Sequence, residues 1–308
     1  MNPASTPKVT VVVTTKDRKD ELRNALRTTL RQSIPLELVV IDDGSSDGTS
    51  ELVRSEFPEA VLFRSETSEG LVAQRNRGAT LATTPFIVSI DDDCEFVSET
   101  TLERTVALFD HPRVAAVSIP YVNVKQDTSV RTSAPADDGI YVGPAYAGCA
   151  HMLRRDVFLA LGGYRGSIFR QGEEPDYCIR LLDAGYVVRL GSAPPLSHFE
   201  SPKRSHAAIW KWAARNAVLF TWRNVPAPEV VGHLGVTTFN MLRRGTEAGE
   251  AGSVLTGLRE GYAGLLAELR DRTPVSRRAY RLSRMLVRRR AVRLEELEGR
   301  LPPLRAVT

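Results

Sequence analysis

Short apolar runs of strand length that alternate with stretches of helical periodicity constrain this chain more than any other feature. Residues 9–14 form a β-branched run with polar punctuation after it, which predicts a buried strand. Leu22, Ala25, Leu26 and Leu30 then recur at helical spacing and predict an amphipathic helix over about 18–31. Residues 36–41 read as a second strand, with a short helix after them whose start is marked by Ser46 or Asp47 as cap. A strand at 60–63, a helix at 71–81 and a strand at 86–90 follow, then a helix near 99–109 and a strand at 114–119. Such alternation points to an α/β fold with a doubly wound, mostly parallel sheet. Residues 120–148, rich in Gly, Pro, Ser, Thr and Asp, form a long connection that is either functional or mobile. A short helix over 156–161 stops at Gly162-Gly163, and beyond Pro226 the texture is helical with no convincing strand.

Polar residues gather where the strands end. In an open parallel sheet, ligands bind beyond the carboxyl ends of the strands. Thr14 stands at one such end, Asp42-Asp43 at the next and Asp91-Asp92-Asp93 at a third. In extended backbone, Asp91 and Asp93 face one way and Asp92 the other. Carboxylates sharing a face repel unless a cation lies between them, and hard oxygen ligands favour Mg2+ or Mn2+. The alternative is a solvated acidic turn. Asp42-Asp43-Gly44-Ser45-Ser46 is common turn chemistry, and it also suits Asp43 accepting a hydrogen bond from a nucleotide base. In residues 172–186, Pro175 suits the first turn of a helix and Gly185 its end. Glu174 then lies at the positive helix terminus, which favours its ionised form and suits a general base; alternatively, Glu174 and Asp176 only complement the helix dipole.

Charge is unevenly spread. The 308 residues carry 41 basic and 37 acidic side chains, and twelve of the basic ones but only four of the acids lie between Arg270 and Arg305. Leu282, Met285 and Leu286 recur at helical spacing among those arginines. A basic amphipathic helix of this kind suits peripheral contact with an anionic membrane, and equally a solvated face or a homodimer contact. Nucleic acid is disfavoured, since Tyr280 is the segment's one aromatic. Trp210 and Trp212 fall on a helical stretch where packing is the expected role. Cys94, Cys149 and Cys178 have no CxxC spacing, which supports neither a disulfide framework nor a zinc knuckle. With no apolar run of spanning length and no secretory signal pattern, the expected location is cytoplasmic, at most peripheral at the inner face of the membrane.

Taken in order, Val11-Val12-Val13-Thr14-Thr15-Lys16-Asp17-Arg18, Val40-Ile41-Asp42-Asp43-Gly44-Ser45-Ser46-Asp47, Ile90-Asp91-Asp92-Asp93, Leu161-Gly162-Gly163-Tyr164 and the 172–186 stretch make a specific set. Over about residues 8–225 it resembles the family 2 glycosyltransferases, inverting enzymes of the Rossmann-like GT-A fold. The resemblance implies a catalytic domain over 1–225, with a nucleotide-binding half at about 8–110 and an acceptor half at about 111–225. A helical basic region over 226–308 would follow. It implies transfer of a sugar from a nucleoside-diphosphate sugar to a hydroxyl of a glycan, a lipid-linked or a small-molecule acceptor, with Mn2+ or Mg2+. Thr14 and Asp43 would hold the base, with Lys16, Arg75 and Asp92 also in the nucleotide site and Asp91 near the ribose. Asp93 would ligate the metal, and His198 resembles a downstream histidine that in some members approaches the metal or diphosphate. Glu174 falls where the catalytic acidic residue stands. Two departures are visible: Lys16-Asp17 stands where Tyr-Asn is commoner, and Glu174 where Asp is usual. The competing functions are a nucleotidyltransferase, which the lack of glycine over 14–19 disfavours, and a non-catalytic nucleotide- or cation-binding module.

Overall fold

The computed structural model describes residues 8–200, 205–269 and 272–307. It opens with β1 (Val9–Thr15), α1 (Lys19–Thr29), β2 (Leu36–Asp42), α2 (Thr49–Glu56), β3 (Val61–Arg64), α3 (Leu71–Leu81) and β4 (Phe86–Asp91). These are the alternating elements expected, with small shifts at their ends. Gly48, at φ 87°, precedes α2 as its N-cap in place of Ser46 or Asp47; Asp47 instead accepts from the backbone N–H of Thr49 within the first turn.

Every residue of β1 is buried because both faces of the sheet are covered. Val9, Val11 and Val13 pack with Leu22 and Leu26 of α1 on one face. Val12 packs on the other with Val72 and Ala79 of α3. Gly78 permits this approach, since a Cβ there would lie 2.2 Å from Val12 Cγ1.

After β4 come β5 (Cys94–Phe96), α4 (Thr101–Ala107) and β6 (Val114–Ser118). The long connection carries three short strands, β7 (Tyr121–Asn123), β8 (Val130–Arg131) and β9 (Tyr141–Gly143). Then follow β10 (Ala150–Arg154), α5 (Arg155–Ala160), α6 (Glu173–Asp183), β11 (Val187–Leu190) and β12 (Leu196–His198). The last part holds α7 (His206–Asn224), α8 (Glu229–Glu247), α9 (Ala251–Gly264), α10 (Arg277–Arg289) and β13 (Val292–Arg293).

The main sheet has nine strands in the order β13-β9-β11-β6-β10-β4-β1-β2-β3. It is parallel from β4 through β1 and β2 to β3, and again between β6 and β11, with β10 inserted antiparallel between β4 and β6. A second sheet, β5-β12-β7-β8, lies beyond the carboxyl end of β4. The mostly parallel, helix-flanked architecture is therefore as expected from sequence.

Two expectations for the C-terminal region change. β13 pairs with β9 at the sheet edge, so a strand does occur beyond Pro226. The apolar stripe of α10 points inward: Leu282 and Leu286 are buried together with Val114, Val117, Val142, Leu182, Val292 and Leu294. That surface is spent on the core and is not free to enter a lipid surface or cover a second chain. No helix among the described residues is long and apolar enough to cross a membrane.

Candidate active site

The site begins with register. β1 pairs β4 with Thr14 opposite Asp91, and β1 pairs β2 with Thr15 opposite Asp42, so the polar ends of three strands fall side by side. They open into a cavity of about 940 Å³ lined by Thr14, Lys16, Asp43, Arg75, Asp91, Asp92, Glu174 and His198, among others. A volume of this size suits a small-molecule ligand. Asp93 is 3% exposed and lies behind that wall.

Strand alternation does not carry through the acidic triplet. β4 stops at Asp91, and Asp92 and Asp93 form the turn into β5. Arg18 Nη1 reaches both Asp92 Oδ1 at 2.8 Å and Asp93 Oδ2 at 3.6 Å, so the expected opposition of Asp92 to Asp93 is corrected. Burial pushes the Asp92 carboxyl up to about 7, with Arg18 opposing and Asp93 adding to the rise. His198 enters from β12, with Nε2 3.2 Å from Asp93 Oδ1. Ligand atoms of Asp91, Asp93 and His198 all lie within 4.8 Å of one another. Two carboxylates and an imidazole are a donor set that fits Mn2+ or Mg2+. Asp91 thus stands with the candidate cation ligands rather than apart from them.

Arg75, on α3, is the hub of a second group of contacts lining the cavity. Its Nη2 donates to Asp91 Oδ1 and to the Gly148 carbonyl, both at 2.8 Å, and its Nη1 donates to Glu173 Oε1 at 2.8 Å. Nη1 also lies 3.5 Å from Glu174 Oε1. Burial works against the guanidinium charge, but Asp91, Glu173 and Glu174 more than restore it. Three hydrogen bonds and an ion pair inside the chain thus make Arg75 the tie between the end of β4 and the start of α6.

Glu174 sits in the first turn of α6, after Gly172 in left-handed backbone at φ 95°. The helix terminus does not keep it in the usual carboxylate range. Burial and the neighbouring Glu173 push the Glu174 carboxyl up to about 8, against the pull of Arg75. Gly148 makes room for it, since a Cβ at 148 would lie 2.0 Å from Glu174 Oε1.

Asp43 is also more occupied than expected. Its oxygens accept from Ser68 Oγ at 2.6 Å, Glu69 N at 2.7 Å, Gly70 N at 3.2 Å and Gln74 Nε2 at 2.5 Å. It shapes the loop before α3 before it can serve any base. Thr14 Oγ1, by contrast, is buried at the cavity with no hydrogen-bond partner, and Lys16 is exposed at the rim.

Sequence reasoning gave no role to Arg18, Gln74 or Gly148. Arg18 lay inside a quoted motif, and a cation after the strand that neighbours the acid triplet's own is a usable signal; Gly148 had none. Trp212 stacks on Phe169 at 5.5 Å, the packing role expected, and Phe169 in turn lines the cavity.

Known proteins resemble this chain in sequence and in fold. The family model described as glycosyl transferase family 2 matches residues 10–170. The uncharacterized glycosyltransferase YibD of Escherichia coli (strain K12) is 27% identical over 175 residues, covering 53% of this chain and 50% of that protein. The glucosyl-dolichyl phosphate glucuronosyltransferase of Haloferax volcanii is 28% identical over 204 residues, 57% of this chain and 64% of that one. The chain thus spans about half to two thirds of the length of these relatives. Among solved structures, the mannosyltransferase PcManGT from Pyrobaculum calidifontis, in complex with GDP-Man and Mn2+, superposes with a TM-score of 0.58 at 21% identity. It covers 96% of this chain and 82% of that one. GalNAc-T7 with UDP, GalNAc and Mn2+ gives a TM-score of 0.60 at 18% identity, covering 86% and 56%. At such identities the structures establish the GT-A fold.

Proposed function

Because this chain belongs to glycosyl transferase family 2, we propose that it moves a sugar from a nucleoside-diphosphate sugar to an acceptor hydroxyl by a cation-dependent, inverting displacement. The observation that carries this reading is a single guanidinium, Arg75, bonded to Asp91 on one side and lying against Glu173 and Glu174 on the other. That contact supports the reading because Asp91, a candidate cation ligand, and Glu174, the candidate base, then share one guanidinium beside one cavity.

Asp91, Asp93 and His198 would hold the divalent cation, which when bound neutralises charge on the departing diphosphate. Thr14, with its unpartnered hydroxyl, and the exposed Lys16 would meet the nucleoside, while Asp43 holds the loop they face. Glu174 Oε1 would take the proton from the acceptor hydroxyl as that oxygen attacks the anomeric carbon from the face opposite the diphosphate. Arg75 keeps the Glu174 carboxylate near a positive charge. Gly148 leaves the space that the extra methylene of Glu, relative to Asp, requires. Acceptors with a free hydroxyl, on a glycan, a lipid-linked sugar or a small molecule, fit this chemistry.

A panel of nucleotide sugars tested by thermal shift with Mn2+ examines the reading. One donor should stabilise the chain only when Mn2+ is present, by about 2.7 kcal/mol at a hundredfold excess over its Kd. Absence of a shift with every nucleotide sugar would overturn it.

A further inference from the structure

Next to the oxygen ligands stand two thiols that the proposed transfer does not use, beside the His198 that it does. Cys94 opens β5 straight after the acidic turn, and β5 pairs β12 with Cys94 opposite His198. Cys149 directly precedes β10, whose first residue, Ala150, pairs with Ile90 of β4. Three separate elements therefore deliver two thiols and an imidazole to one place. Their ligand atoms all lie within 4.8 Å of one another, and all three residues are buried. Neither cysteine is bonded in a disulfide. We propose that Cys94, Cys149 and His198 form a site for a soft divalent metal of the Zn2+ class, and that it shares its histidine with the oxygen site of Asp91 and Asp93.

The chemistry separates the two sets. Thiolate and imidazole donors select Zn2+ and its heavier congeners, whereas carboxylates suit Mg2+ and Mn2+. Cys149 and His198 both line the cavity, which provides the entry path. Binding replaces two S–H bonds by two S–metal bonds; both protons leave to solvent, no electron is transferred, and a fourth position is left for water. His198 links the sets because a neutral imidazole offers one lone pair, so it can ligate only one of the two ions at a time. Filling the sulfur site thus withdraws His198 from the oxygen site and antagonises Mn2+. The spacing 94, 149, 198 forms no linear zinc motif, which is why only the fold reveals the cluster.

That antagonism rests on the oxygen set holding Mn2+; the sulfur site itself does not. The test uses the full reduced chain with Cd2+ as probe, followed by its thiolate-to-metal charge-transfer absorption in the ultraviolet. One equivalent should saturate the band in the parent protein. Cys94→Ser and Cys149→Ser should each diminish the band and weaken binding by about tenfold or more, since even indirect partners of a metal are worth that much. Asp91→Asn should leave the band intact. Where serine at the fully buried position 94 impairs folding, Cys94→Ala replaces it. In parallel, Mn2+ binding followed by electron paramagnetic resonance should weaken on adding one equivalent of Zn2+ in the parent, and not in Cys94→Ala. A reduced chain with no charge-transfer band, or a band indifferent to both cysteine variants, would overturn the proposal. A band that behaves as stated beside an absence of Mn2+ binding would support the sulfur site and count instead against the proposed transfer chemistry.

Discussion

Gly148 and Glu174 show how closely single residues determine this site. An alanine at 148 would bring its Cβ within 2.0 Å of Glu174 Oε1, the far end of a flexible side chain. The fold can absorb that by moving the carboxylate, but the proposed base cannot be displaced without loss. Gly148→Ala should therefore keep the parent melting temperature while kcat falls by about 10²-fold, the cost of an ångström-scale misplacement. A second prediction concerns pH. Burial and then Glu173 push the Glu174 carboxyl up to about 8, and a general base works only when ionised. kcat/KM should accordingly rise with pH through that range and level off above it. Glu173→Gln removes the neighbouring negative charge and should move the rising limb to lower pH. A limb at the ordinary carboxylate range in the parent would contradict the assignment. Sequence drew attention to Asp91 and Asp93 at a strand end, to Glu174 at a helix start and to His198 by resemblance alone. The occupancy of Asp43 and Arg75 was not legible there, since their partners come from residues 68–70 and 173–174 by tertiary folding alone.

At the scale of elements, the strands and helices from β1 to β4 could be read almost to their ends, because burial on both sheet faces leaves continuous apolar runs. The connection over 120–148 could not. Its strands are two or three residues long and owe their existence to neighbours: β7 to β12, β9 to β11. Too short to show a period, they still bring Tyr121, Asn123 and Arg131 to the cavity. The packing of α7 on α9 was equally invisible, and it depends on small residues. A Cβ at Gly257 would meet the Lys211 carbonyl oxygen at 2.1 Å, and one at Gly261 the Arg215 carbonyl oxygen at 2.9 Å. Here the obstacle is backbone, so Gly257→Ala should lower stability despite alanine's better helix propensity. Gly235→Ala, on α8 with nothing within 4 Å, should instead raise it by about 0.5–1 kcal/mol. Urea unfolding of the two variants checks the pair; equal stabilisation would mean that α9 does not press on α7.

Across the whole molecule, the basic C-terminal segment is part of the sheet's core rather than an appendage laid on the surface. Its helical period was plain in sequence, but an amphipathic stripe does not say what it will cover. In the fold, the stripe of α10 covers β6 and β9, leaving its arginines outward. Leu286→Ala should therefore destabilise the chain in plain buffer by about 2–5 kcal/mol, as for a buried leucine in any core. Unchanged urea unfolding would place that face elsewhere. The same integration brings Asp91 from the main sheet, His198 from the second sheet and Glu174 from α6 to a single cavity, with Asp93 behind its wall, the premise on which the proposed chemistry stands. Glu174→Gln tests that premise most directly, by comparing turnover with Mn2+-dependent binding of the donor sugar nucleotide in the same preparation. Turnover should fall by about 10²–10⁴-fold while donor affinity stays at the parent value. Turnover at the parent rate, or donor affinity lost in step with it, would contradict the assignment of Glu174 as the base.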